Sequence, residues 1–343
     1  MKRIICTLLT IALSVATCVG LFACEIPDVT PNDPVSIKYE ADGSAIIPLF
    51  VQGKANYAVL GEPAATNLAN KMKKDKNVTV YTVFDLQQLW KNAVGSQNNG
   101  YPQACMIVKK ELLANKTFVT ALTEAMNDNA NYIATNMSTL AATMKAHGSS
   151  LTVNYTSDLI ARCNLNFVSA NSAGTSSDVN KYLAEFGFSA DADKPVNKLP
   201  DDGFYYDGTS VETTAPESIS LYVPDGAPAL SVAKIIAEGK IGETAVNVNL
   251  STGEDVVAKA MNGEADVVVL PTNAAAKVYN AKKQYSMFSV NVYGVLYVVS
   301  TENITKLSDL SGKLVYSIGL GNTPEYVFKK VLSVAGIGYV DAE

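Results

Sequence analysis

Five short turns carry residue types that could hold a small molecule by hydrogen bonds. They are Asp225-Gly226-Ala227, Thr252-Gly253, Thr272-Asn273, Gly319-Leu320-Gly321-Asn322-Thr323 and Asp42-Gly43-Ser44. Each stands between an apolar run that reads as a strand and a stretch that reads as a helix. Helices that start beyond the carboxyl ends of strands offer unpaired N–H groups, and glycine lets a backbone approach closely. The same residues also serve as plain turn formers and N-caps. Recurrence at corresponding points of two segments favours a binding role. Glu62, before Pro63, stands where the matching segment has Thr272. It either accepts hydrogen bonds from an amine or aminopyrimidine or caps the helix that follows. Tyr293 either stacks on a planar ligand or serves as an interior strand residue. None of the five turns contains Lys or Arg, so an anion there would depend on helix N-termini. Gly319-x-Gly321 begins a dinucleotide fingerprint that Pro324 leaves incomplete.

Composition narrows the chemistry. The chain has 343 residues, 48% hydrophobic and 17% charged, with a single His, His147, and two Arg, Arg3 and Arg162. A His-based metal site or His-dependent triad therefore has no residues to run on, and neither a metal nor a cofactor is expected. With 27 Lys and Arg against 33 Asp and Glu the net charge is −6, which is no footprint for nucleic acid. Length suggests about two domains. His147, in Lys145-Ala-His-Gly, reads as a helix C-terminal residue against the dipole.

The first residues are set apart from the fold. Met1-Lys2-Arg3 and the apolar run 4–22 end in Leu21-Phe22-Ala23-Cys24, the pattern of a lipobox, with Pro- and Asp-rich sequence after it. The alternative is a transmembrane anchor. On the lipobox reading residues 1–23 are a signal peptide, Cys24 carries the lipid, 24–34 is a linker, and the charge becomes −8. Cys105 and Cys163 remain, read as two buried free thiols rather than a pair.

A repeat organises the body. Residues 38–60 match 248–270 without a gap, so that Gly43 and Gly53 fall on Gly253 and Gly263, 210 positions on. Both copies read as strand, turn, short helix, Gly C-cap and buried strand. The second copy is preceded by a strand and helix, 219–239. The first lacks one upstream, and its partner lies at the far end of the chain: a strand and Gly-rich turn over 313–324, then a helix to Gly336. Placing 35–39 after 340–343 completes a βαβαβ lobe. The order is thus circularly permuted, or two gene fragments have been joined.

Rotated into that order, the sequence resembles the extracytoplasmic solute-binding proteins of ABC importers, in the nitrate, sulfonate and thiamine-precursor group. The residues that carry it are Val223-Pro-Asp-Gly-Ala-Pro-Ala-Leu, Gly263-Glu-Ala-Asp-Val-Val-Val-Leu-Pro-Thr-Asn, Thr305-Lys-Leu-Ser-Asp-Leu-Ser-Gly-Lys and Gly53-Lys-Ala-Asn-Tyr-Ala-Val-Leu-Gly-Glu-Pro. Leu199-Pro-Asp-Asp-Gly-Phe-Tyr-Tyr206 resembles the usual C-terminal end of such proteins, set here in mid-chain. The resemblance implies an α/β, two-lobed periplasmic-binding-protein-like fold, each lobe a βαβαβ-type sheet flanked by helices, joined by crossing strands. Lobe 2 would comprise 296–343 and 35–100. Lobe 1 would comprise 218–295 and most of 101–206, with 207–217 as linker. Strand 290–299 would cross between lobes, with 101–108 as its antiparallel neighbour. Helices are expected over 117–133, 138–147, 157–163 and 177–186, the later ones covering lobe 1. Trp90, spaced with Leu86 and Leu89, reads as core. The implied function is capture of a small solute for delivery to a membrane permease, from a lipid-anchored position outside the bacterial membrane. A thiamine-pyrimidine-type enzyme or a ligand-sensing domain are the other functions this fold carries.

Overall fold

A computed structural model describes residues 33–95, 100–190 and 197–342. The leader, Cys24 and Glu343 lie outside the described residues.

The two repeat copies fold alike. Asp42 caps the helix Gly43–Val51 by accepting from the amides of Ser44 and Ala45, and Thr252 caps Gly253–Asn262 by accepting from Asp255. After each helix the chain turns through a left-handed glycine, Gly53 (φ +71°) or Gly263 (φ +74°). The next strands, Tyr57–Gly61 and Val267–Pro271, keep the 210-residue offset at both ends and are almost wholly buried. Runs without polar alternation, such as Val267 to Leu270, suit strands covered on both faces. Helices Ala64–Lys76 and Thr272–Lys282 follow.

The strands form two main sheets. One runs in the order Tyr339–Asp341, Val35–Glu40, Leu314–Ile318, Tyr57–Gly61, Leu296–Ser300 and Tyr81–Asp85. The other runs Leu165–Ser169, Tyr285–Val292, Ala104–Lys109, Val267–Pro271, Ser218–Pro224, Thr244–Ser251 and Lys240–Ile241. A run of parallel strands, four in the first sheet and three in the second, is followed by one antiparallel strand that enters from the other lobe. In lobe 2 that strand is Leu296–Ser300, and in lobe 1 it is Ala104–Lys109. The protein is two α/β lobes of matching strand order.

Lobe 2 draws on both ends of the chain. Ser36 to Glu40 pair in parallel with Leu314 to Ile318, and Val315 and Tyr316 pair with Tyr57 and Ala58. Helix Thr323–Val334 packs on this sheet and on helix Leu86–Val94. One detail differs from expectation. Tyr339–Asp341 lies beside Val35–Ile37 rather than running into it, with Val35 N donating to Gly338 O (2.8 Å) and Ala342 N to Ile37 O (2.7 Å). Side-by-side pairing occupies main-chain groups that the sheet edge would otherwise leave open.

The intervening helices are Lys116–Thr135, Leu140–Ala146, Ser157–Arg162 and Thr175–Glu185. Helix Lys116–Thr135 packs on Ala233–Glu238 in lobe 1, where buried Asn129 bridges a helix break: its amide donates to Leu230 O and it accepts from Lys234 N. Helix Thr175–Glu185 behaves differently from expectation, because it also reaches lobe 2. Tyr182 stacks on Tyr101 (5.7 Å between ring centres) and meets Trp90 edge-on, while Phe186 meets Tyr326 at 4.8 Å. Trp90 is core, and Cys105 and Cys163 are buried free thiols.

The chain crosses between lobes at residues 293–295. Two glutamines hold this strap. Gln103 Oε1 accepts from Val295 N (3.0 Å), and Gln87 Oε1 accepts from Leu296 N (2.6 Å) and the Tyr101 hydroxyl. Gly294 (φ +82°) is required here, since a Cβ would stand 2.5 Å from Gln87 Cγ.

Candidate functional site

In lobe 1 the strand Ser218–Pro224 ends at Asp225, and Gly226 starts the short helix Ala227–Leu230. Gly226 has φ +106° and ψ −146°, a conformation open to glycine and almost nothing else. The Asp225 carboxylate accepts from Ser149 Oγ (2.8 Å), Ser150 N (2.8 Å), Ser150 Oγ (3.2 Å) and Gly226 N (2.9 Å). It thereby pins the segment that follows helix Leu140–Ala146. Ala227 is buried, Thr252 is an exposed cap, and Gly253 faces open space. Thr272 and Asn273 are fully buried where helix Thr272–Lys282 begins. Thr272 Oγ1 faces the Cys105 thiol without a hydrogen bond of ordinary geometry, and Asn273 Oδ1 has no partner among the described residues.

In lobe 2 Asp42 and Ser44 bond to each other within the cap, and Gly43 sits against Ala64. Gly321 N donates to Glu325, which closes the turn before helix Thr323–Val334. Asn322 is half-buried, and the Thr323 hydroxyl is shared with Tyr182 at 2.8 Å. Tyr293 is half-buried at the crossing; burial pushes its hydroxyl up to about 12, and its main chain bonds with Asn164.

Glu62 is the point where the lobes meet. Its side chain is 1% exposed, and it accepts from Thr66 N (3.0 Å), Thr66 Oγ1 (3.0 Å) and Arg162 Nε (2.9 Å). Of the two sequence readings of Glu62 the structure shows the cap, and the cationic partner of its carboxylate is the protein's own Arg162. Gly226 and Pro63 face one another across the same boundary, a Cβ on Gly226 falling 3.9 Å from Pro63 Cδ.

The structure therefore gathers Asp225, Gly226 and Glu62 around one boundary. Thr252, Asp42 and Ser44 serve their own helix caps, and Thr272 with Asn273 lies behind the crossing, Thr272 N donating to Gln103 O at 3.0 Å. An open groove of about 500 Å³ runs along the boundary, lined by Asn70 of lobe 2 and by Ala141, Ala142, Lys145 and residues 149–154 of lobe 1. Sequence reading missed Arg162, Ser149, Ser150, Gln103 and Tyr182. A signal existed only for Arg162, the sole arginine after residue 3.

This is a two-lobed α/β fold. No family model matches the chain, and no curated protein matches it. Among solved structures it is similar to a binding-protein component of an ABC phosphonate transporter from Pseudomonas aeruginosa, at 12% identity and TM-score 0.29 over 89% of this chain and 68% of that one. It is similar to NikA from Brucella suis in complex with Fe(III)-EDTA, at 11% identity and TM-score 0.30 over 78% and 58%. It is also similar to the oligopeptide-binding protein AppA from Bacillus subtilis, at 14% identity and TM-score 0.31 over 79% and 57%. The chain spans little more than half the length of the last two. Among the described residues no helix is long and apolar enough to cross a membrane.

Proposed function

We propose that the chain is an extracytoplasmic solute-binding protein that closes two lobes on a small molecule and presents it to an ABC-type permease. One observation carries the reading. In both sheets an antiparallel strand from the other lobe follows the run of parallel ones, and the strand-to-helix loops at Gly226 and Pro63 face each other. Ligands of open α/β sheets sit at that end of the strands. Closure is then a hinge motion about the crossing at 293–295. The lipobox at Cys24 would tether the protein outside the cytoplasmic membrane; Cys24→Ala is expected to abolish lipid labelling in cells, and unchanged labelling would refute the anchor. The solute group suggested by the sequence, nitrate, sulfonates or aminopyrimidines, is tested by thermal unfolding against those compounds and amino acids. A solute that raises the midpoint supports the reading, and none doing so counts against it.

The same reading takes the chain order as circularly permuted, supported by the parallel pairing of Ser36–Glu40 with Leu314–Ile318. A chain reordered to begin at Ser218 and run through Glu343 into 33–206 should fold to the same two lobes. Loss of the folded state on reordering would count against it.

A further inference from the structure

The lobe-1 wall of the groove is unusual in its main chain. After Ser150 N donates to Asp225 and Leu151 N to Ser149 Oγ, residues 152–155 belong to no helix or strand, and their amides donate to no group among the described residues. Their carbonyls accept from none of those groups either. Yet the stretch has the burial of a strand: Thr152 and Asn154 are exposed, while Val153 and Tyr155 are buried. Period-2 burial without a paired neighbour marks a strand-like segment with an open hydrogen-bonding edge.

The rest of the lining fits such an edge. Glu62 stands just before the helix Ala64–Lys76, and Thr66 and Asn70 follow on that helix at i, i+4 spacing. The first two are fixed by Arg162, which holds the helix that carries Asn70 over the groove. Asn70 and Lys145 are both exposed to solvent at the groove, and Lys145 is the one charged group in the lining. A row of alternating donors and acceptors is complemented by another row of the same kind, and a lone ammonium by a carboxylate. Three residues of extended chain span ~10 Å, and the volume falls within the range of small-molecule pockets.

From this we infer that the solute is a short peptide in extended conformation, its main chain paired with Thr152–Asn154 and its C-terminal carboxylate at Lys145. The inference rests on the groove being the solute site of the binding protein proposed above.

The experiment is titration calorimetry on the leader-free chain with tri-alanine and an equimolar tripeptide mixture. It is run beside free alanine and the non-peptide panel of sulfonates, nitrate and aminopyrimidines. Tripeptide binding is expected, with no binding of free alanine. Amidating the C-terminus of tri-alanine should weaken it at least tenfold in the wild-type chain and leave it unchanged in Lys145→Ala. N-methylation of the middle amide removes one donor without touching the protein and should also weaken it at least tenfold. Asn154→Pro tests the same bond from the protein side. Binding of a non-peptide solute but of no tripeptide would overturn the peptide class and leave the solute-binding reading standing. Binding of nothing would overturn both. An N-methylated peptide that binds as tightly as tri-alanine would overturn the main-chain pairing.

Discussion

Arg162 of lobe 1 donates its Nε to the buried carboxylate of Glu62 in lobe 2 at 2.9 Å. Its Nη2 donates to Thr66 Oγ1 at 2.9 Å, and its carbonyl accepts from the Tyr297 hydroxyl at 3.1 Å. These bonds tie the two lobes together beside the crossing. Removing Arg162 leaves a carboxylate buried with only Thr66 for company. Arg162→Gln is expected to cost about 1–3 kcal/mol, less than for a wholly buried pair because the guanidinium is partly solvated. Glu62→Gln should cost less, since an amide oxygen still accepts from Thr66. Urea midpoints of the two variants check the order; equal midpoints for both and the wild type would show that the pair does not bind the lobes together.

Two glycines with different surroundings should respond differently to valine. At Gly226 the backbone conformation is nearly exclusive to glycine, and the new methyls would press on Pro63. Gly226→Val is expected to destabilise by about 1–3 kcal/mol and to weaken solute binding. Gly321 is left-handed (φ +73°) with nothing within 4 Å of a Cβ, so Gly321→Val should show only the left-handed cost of about 1–2 kcal/mol. Denaturant midpoints and a binding titration separate the two. Equal losses of affinity would place the lobe boundary elsewhere.

Burial pushes the Cys105 thiol up from 9.0 to about 12, and burial, then the charge of Glu62, pushes Cys163 up as well. Above pH 9 the unfolded chain releases these protons while the folded one keeps them, so stability should fall as pH rises. The slope is up to about 1.4 kcal/mol per pH unit for each thiol. Below pH 9 the contribution is flat. In a leader-free Cys24→Ala chain neither remaining thiol should react with iodoacetamide at pH 8 until urea is added. Rapid labelling of the folded chain would contradict the burial.

Trp90 is the only tryptophan, and it stands on the lobe-2 helix Leu86–Val94 with Tyr182 of lobe 1 at 6.2 Å. Any solute that shifts the hinge equilibrium should therefore change its emission. Tyr182→Phe keeps the ring and loses the bond to Thr323, an expected cost of about 0.5–1.5 kcal/mol in a urea titration. A stabilised variant would mean that the bond opposes the fold.

Local chemistry was legible in the sequence where it was periodic. Gly43 and Gly253, Gly53 and Gly263, and the apolar strands after them announce two equivalent units because glycine conformation and two-sided burial are short-range demands. Pairing of Val35–Glu40 with Leu314–Ile318 was readable because each unit lacks something that the other end of the chain supplies. Arg162 and Tyr182 were not readable as partners of lobe 2. Their mates, Glu62 and Thr323, lie 100 and 141 residues away, and nothing local distinguishes a helix-terminal arginine that bridges lobes from one in water. Asp225 was read as a turn residue facing a ligand; its bonds to Ser149 and Ser150 come from tertiary structure alone.

Capture of a solute between the lobes is tested most directly by thermal unfolding of the leader-free chain across the solute panel and the tripeptides, with Trp90 emission read in the same samples. A true solute at 100 times its Kd should add ~2.7 kcal/mol of stability and change the emission over the same concentration range. If no compound moves either signal, the groove is not a solute site and the account fails.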